Sequence, residues 1–318
     1  MTREQQVMLG ICGGVGPAAG VLLHQIILEN TESDGEDQGH FHVCHLSRSE
    51  DMTDRTEYLQ HTTQKKDGDA GDGSLRDTPT WVENPACGMA RTFEMMKCAA
   101  QIQNVRLVTG VPCNTFHAKP IWNEFLRLTT TAPTMRSDPV HQHVHMLEET
   151  VRFIAKYAPS CKKIGLMATT GTRDSRVYHD LMEPLGYTII EICPSLQTEL
   201  HESIYNKVWG IKSTAPVVTP KCVANFHQYA RYLKGQGADV IVMGCTEIPF
   251  AFTGRKTFAG LLLIDPLVAL ARAMIREADS ARLKPLTLDE GGASCVTPIV
   301  KLSQPRMPTE YSKSRRCS

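Results

Sequence analysis

The chain has 318 residues, 42% of them hydrophobic, with 34 lysines and arginines balanced by 34 aspartates and glutamates. That length allows one large domain or two modest ones around a substantial core, and the even charge removes the electrostatic signature of a nucleic-acid or anionic-membrane partner. No window approaches the ~18 uninterrupted apolar residues of a membrane span, and the N-terminal apolar stretch is too short for the core of a signal peptide.

In chain order, "VMLGICG" (Val7 to Gly13) reads as a short buried strand, "AAGVLLHQIILENT" as the helix behind it and "HFHVCHL" (His40 to Leu46) as a second strand. "GMARTFEMMKCAAQI" has helical apolar spacing, "VRLVTG" is a strand, and "VHMLEETVRFIAKYA" is a helix with Glu148 and Glu149 suited to its first turn. The second half repeats the alternation: "KKIGLMAT" (strand), "SRVYHDLMEPLG" (helix), "YTIIEI" (strand), "VANFHQYARYLKGQGA" (helix), "DVIVMG" (strand), then "LLLID" and "PLVALARAMIREAD". Strands this apolar, separated by helices, form parallel sheets covered on both faces. The expected fold is α/β with two similar lobes, each a mainly parallel sheet flanked by helices, related by a pseudo-twofold axis and enclosing an active-site cleft. The expected division is 1–140 for the first lobe, with an insertion loop at 61–85, and 141–262 for the second. A helix at 263–280 packs back on the first lobe, and a flexible basic tail follows at 281–318.

The 11 cysteines are odd in number, scattered and without a C-x-x-C pair, as expected for free thiols in a reducing, cytoplasmic setting. Two stand apart. Cys113 in "LVTGVPCNT" and Cys245 in "VIVMGCTE" each follow an apolar strand and a glycine, at the strand edge where parallel sheets bind ligands. If the lobes face each other, so do the two sulfurs. Opposed thiols suit proton abstraction from a carbon next to a carboxylate, with return of a proton to its other face. The amides of "CNT" and "CTE", with the side chains of Asn114, Thr115 and Thr246, supply donors that lower a thiol's pKa and hold the carboxylate as its charge grows.

The motifs "GICGGVGPAAG", "DMTDRTEYL", "VPCNTFHA", "VHMLEET", "GLMATTGTRDSRVY", "VWGIK" and "GCTEIPF" together resemble those of the aspartate/glutamate racemase superfamily, in particular its aspartate racemase branch. The resemblance implies racemisation of an acidic amino acid, aspartate before glutamate, by Cys113 and Cys245 without a cofactor or metal, in a homodimer. It further implies that Gly14 and the loop Thr169, Thr170, Gly171 and Thr172 help hold substrate. Arg55 and Lys212 would bind its side-chain carboxylate, with Lys207 as the alternative to Lys212; an Arg fork and a Lys point charge suit that task.

Other readings carry less. "GVGPAA" (Gly14 to Ala19) fits a dinucleotide fingerprint, but "HVCHLS" supplies no acid at the end of the second strand. His141, His143 and His145 alternate as H-x-H metal ligands can, without a clear completing set. Within the superfamily, a cis-trans isomerase of a small unsaturated diacid and a non-catalytic amino-acid-binding descendant are the alternatives.

Overall fold

A computed structural model describes residues 6–67, 82–130 and 140–286. The first lobe begins with β1 (Val7–Gly13), α1 (Pro17–Asn30), β2 (His42–Ser47), α2 (Arg55–Asp67), α3 (Pro85–Gln103) and β3 (Arg106–Gly110). It continues through α4 (Lys119–Thr129) to β4 (His141–Val144), and α5 (Met146–Tyr157) leads out. The second contains β5 (Lys163–Ala168), α6 (Thr170–Asp174), α7 (Val177–Met182), β6 (Thr188–Glu191), α8 (Pro194–Tyr205) and α9 (Ile211–Thr214). After α10 (Pro220–Gly235) and β7 (Val240–Gly244) come β8 (Thr257–Phe258), β9 (Leu261–Ile264) and α11 (Pro266–Ala278).

The two sheets share one plan. In the first the order is β2-β1-β3-β4, all parallel; in the second it is β6-β5-β7-β9, parallel, with β8 antiparallel at the edge. Each lobe thus places its first strand second in the sheet and its third beside it. The central strands β1, β3, β5 and β7 are almost wholly buried, which is why they read as unbroken apolar runs. Their carboxyl ends carry the glycine turn, Cys113, Thr169 and Cys245 respectively. The same topology therefore delivers all four loops to the strand edge where ligands bind.

One core runs through both lobes. Leu9, Ile11 and Ile26 of the first and Ile164, Val242 and Ile264 of the second join it, bridged by Leu267, Leu270 and Met274 of α11. Cys113 belongs to a second core with Val15 and Phe116, and Cys245 to a third with Met243 and Ile248. No helix among the described residues is long and apolar enough to cross a membrane.

Three expectations are corrected. The boundary at 140/141 cuts off β4, which pairs with β3 and completes the first sheet, so that lobe runs at least to Val144. The insertion expected at 61–85 begins inside α2, whose helix continues to Asp67; a helix this polar has no apolar stripe to betray it. The tail expected to be free from 281 is anchored at its start: Leu283 forms an antiparallel bridge with Thr31, and Arg272 Nη2 donates to the Lys284 carbonyl at 2.9 Å. The rest of the insertion at 68–81, the stretch 131–139 and the tail from 287 lie outside the described residues.

Candidate active site

Both cysteines end buried strands and stay nearly closed off, Cys113 at 8% and Cys245 at 7% exposure. Neither is followed at once by a regular helix. After Cys113 a single 3-10 turn (Thr115–His117) precedes α4, and after Cys245 a 3-10 segment spans Ile248–Phe252. Lys212, at the start of α9, carries a charge that acts on Cys245 and, more weakly, on Cys113 of the opposite lobe.

Around them the lobes interlock. Thr115 Oγ1 of the first lobe lies 2.8 Å from Thr172 Oγ1 of the second, which is also 3.0 Å from Thr169 Oγ1. Tyr178 of α7 donates its hydroxyl proton to Asn114 Oδ1 at 2.5 Å. That bond occupies the carbonyl side of the Asn114 amide and leaves Nδ2 buried without a partner. Arg55, first residue of α2, donates to the Val15 carbonyl at 3.2 Å and reaches the Cys113 sulfur, while its Nε is likewise buried and unpartnered. Buried polar groups are nearly always satisfied. Two orphaned donors in one cleft mark a place for an oxygen-bearing ligand.

The remaining expected residues separate clearly. Lys212 faces the cleft, ion-paired with Glu247 Oε1 at 3.4 Å and lying 5.1 Å from the centre of the Tyr205 ring, whereas Lys207 is exposed. Thr246 Oγ1 donates to Glu247 Oε2 at 3.1 Å. Thr170 is linked to His201 through its backbone N–H, at 3.4 Å from Nδ1. Gly171 packs on Thr56 too closely for any side chain. Gly14 shapes its turn, at φ 92°, against the Arg48 backbone. Gly16, at φ 134°, is the glycine that meets the opposite lobe, where an added Cβ would lie 3.0 Å from Glu247 Oε1. The turn is thus filled from across the cleft, which does not leave the open approach a pyrophosphate needs.

Three residues of the site were not singled out by sequence. Glu247 is the first. Cys245 donates its S–H to Glu247 Oε2 at 3.0 Å, and Glu247 is buried. Burial alone raises a carboxyl pKa, but Lys212 and the hydrogen bonds from Cys245 and Thr246 hold Glu247 below its ordinary value. Burial, reinforced by Glu247, pushes the Cys245 thiol well above its usual range. The available signal was the acid two positions after the cysteine in "CTE". Tyr205 and Tyr178 are the others; their roles depend on where α8 and α7 dock, which no local pattern encodes.

The alternating histidines serve the first lobe's packing. His143 bonds Thr109 Oγ1 at 2.6 Å and Thr129 Oγ1 at 3.0 Å, and His145 caps α5 by accepting from Glu148 N–H. His117 Nδ1 lies 2.8 Å from the Cys113 carbonyl, and its Nε2 accepts from Met146 N–H at 3.2 Å. That tautomer ties the cysteine loop to the start of α5.

Fold and site together define a two-lobed α/β protein with one buried strand-end thiol in each lobe. Residues 137–274 match the sequence profile of the Asp/Glu/Hydantoin racemase family. The Picrophilus torridus aspartate racemase superposes with a TM-score of 0.63 at 19% identity, covering 88% of this chain and 96% of that one. An aspartate racemase homologue from Pyrococcus horikoshii OT3 gives 0.55 at 15% identity, covering 86% and 99%. The described part of the chain therefore has the fold of these proteins. A glutamate racemase from Roseiflexus sp. (strain RS-1) is 24% identical over 140 residues; the match covers 42% of this chain and 47%, about half, of that relative.

Proposed function

We propose that the protein is an amino-acid racemase of the aspartate/glutamate type, acting on an acidic amino acid through Cys113 and Cys245. The observation that carries this reading is that the two cysteine loops meet the opposite lobe: Thr115, two residues after Cys113, lies 2.8 Å from Thr172, and Glu247, two residues after Cys245, faces Gly16. One thiolate takes the Cα proton: the C–H bond breaks, an S–H bond forms, and the electron pair delocalises into the α-carboxylate. The other thiol delivers its proton to the opposite face. Because burial and Glu247 keep Cys245 protonated, it begins as the acid and Cys113 as the base; the reverse reaction exchanges the roles.

The α-carboxylate gains charge in this step and needs donors already in position. The free Nδ2 of Asn114 and the Thr115 hydroxyl support that assignment, with Thr169 and the start of α6 closing the site from the second lobe. Gly14 contributes by setting the turn that leads to Gly16. Arg55 and Lys212 bring a guanidinium fork and an ammonium to the cleft, donors that suit a substrate carrying a second carboxylate. All proton-transfer groups in this scheme come from the chain itself, so it requires no added cofactor.

The test is L-aspartate, then L-glutamate, in deuterated water with chiral detection and no added cofactor. D-enantiomer carrying solvent deuterium at Cα is expected. Cys113→Ser and Cys245→Ser should each slow interconversion by at least about 1,000-fold. A serine variant that racemises at the parent rate would remove that sulfur from the mechanism. Tight binding of aspartate with no Cα exchange in the parent would make the protein a non-catalytic binder.

A further inference from the structure

Two-thiol chemistry has no place for a third acid, yet Glu247 lies inside the cleft with both oxygens engaged. Oε1 pairs with Lys212 Nζ at 3.4 Å, and Oε2 accepts from the Cys245 thiol at 3.0 Å and the Thr246 hydroxyl at 3.1 Å. Gly16 of the opposite lobe closes over it. So placed, the carboxylate governs the charge of the sulfur beside it.

A two-base racemase needs one thiol and one thiolate at the same time; two thiolates cannot return a proton, and two thiols cannot remove one. The cleft's charges match that requirement. Arg55 and Lys212 contribute two positive charges and Glu247 one negative, so a single thiolate brings the group to neutrality. A second would leave an uncompensated negative charge in a buried site. Without Glu247, two thiolates would balance the two cations. The groups facing Cys245 are few: Glu247 on its own loop, Lys212 of α9, Tyr178 of α7 and Tyr205 of α8. Behind them, Asp265 acts on Tyr178, and the exposed Asp54 acts on Arg55 and Tyr205. Glu247 is the carboxylate that touches the sulfur.

We propose that Glu247 is the positioning residue that keeps the proton on Cys245, so that this sulfur stands ready as the acid of the pair. Lys212 holds the carboxylate charged, and the carboxylate holds the S–H bond. The catalytic consequence rests on the racemase reading; the state of the thiol does not.

Alkylation by iodoacetamide, followed from pH 6 to 10 and resolved at the Cys245 peptide by mass spectrometry, tests the proposal without turnover. Glu247→Gln keeps the shape and removes the charge. Its Cys245 should react about tenfold faster or more at neutral pH, with the midpoint at least about one pH unit lower. Lys212→Met should shift it the other way and provides a second reading if the first variant folds poorly. Coincident profiles in all three proteins would overturn the proposal. In the racemase assay, Glu247→Gln should lose activity at pH 8 and recover part of it at lower pH, where Cys245 regains its proton. A uniform loss at every pH would reduce Glu247 to a structural role and also overturn it. If the parent racemises neither acid but the alkylation shifts appear, the racemase reading fails and the control of Cys245 by Glu247 stands.

Discussion

Lys212 and Glu247 form a pair in which each member offsets the cost of burying the other. The carboxylate is 3% exposed and the ammonium 22%, so the pair is only partly screened by water. Removing one partner from such a pair costs more than removing both, because the survivor is left buried and charged. Lys212→Met should therefore lower the unfolding free energy by about 2–3 kcal/mol, at or below the foot of the roughly 3–5 kcal/mol typical of a fully buried pair, because the lysine keeps some solvent. The double variant Lys212→Met/Glu247→Gln should recover most of that loss in urea denaturation. A double variant no better than the single one would show that the pair stabilises nothing beyond packing. At this scale the sequence revealed the two thiols, because an apolar strand, a glycine and a cysteine in that order announce themselves. It hid the role of Glu247, since an acid in a polar loop looks the same whether it faces water or a sulfur. It hid Tyr205 and Tyr178 for a different reason: their contacts are made between elements far apart in the chain.

Elements that bury whole faces were legible, and those that do not were missed. β1, β3, β5 and β7 are apolar along their length. β4, "HQHV", alternates histidine and glutamine and borrows its order from β3 and from the Thr109 and Thr129 hydroxyls. α11 shows what the residue just before a helix adds. Asp265 caps the helix by accepting from Leu267 N–H at 2.8 Å, yet burial pushes its carboxyl up to about 7. The folded chain thus holds this proton up to about pH 7, while an unfolded aspartate releases it near pH 4. Between those values the native state binds more protons, so stability falls as pH rises through the window and stays lower above it. The full shift corresponds to about 4 kcal/mol at most. Asp265→Asn retains the acceptor and removes the charge. In urea denaturation its stability relative to the parent should rise from near zero below pH 4 to about 2–4 kcal/mol at pH 8. A difference that is flat or falls with pH would mean that the cap favours the charged form after all.

At the scale of the whole molecule, α11 makes the two lobes one unit. It follows β9 of the second sheet but packs on the first lobe, where Arg106 donates to the Glu277 and Ala278 carbonyls and Arg272 Nη1 to Asn30 Oδ1 at 2.7 Å. Gly110, the last residue of β3, lets it come close: an added Cβ would lie 2.7 Å from Met274 Sδ and 2.9 Å from Leu270 Cδ1. A cleft built from both lobes needs this coupling, since lobes that opened independently would separate the sulfurs and the Thr115–Thr172 contact. Gly110→Ala should overpack the junction and cost about 1–3 kcal/mol. The core crosses the junction, so that cost should fall on global opening and raise the exchange of the slowest amides by about 5- to 150-fold. Hydrogen exchange read by mass spectrometry should show the same factor in β1 of the first lobe and β5 of the second. Acceleration confined to the first lobe would mean that each lobe unfolds alone, and that α11 is a lid on one sheet instead of the joint between two.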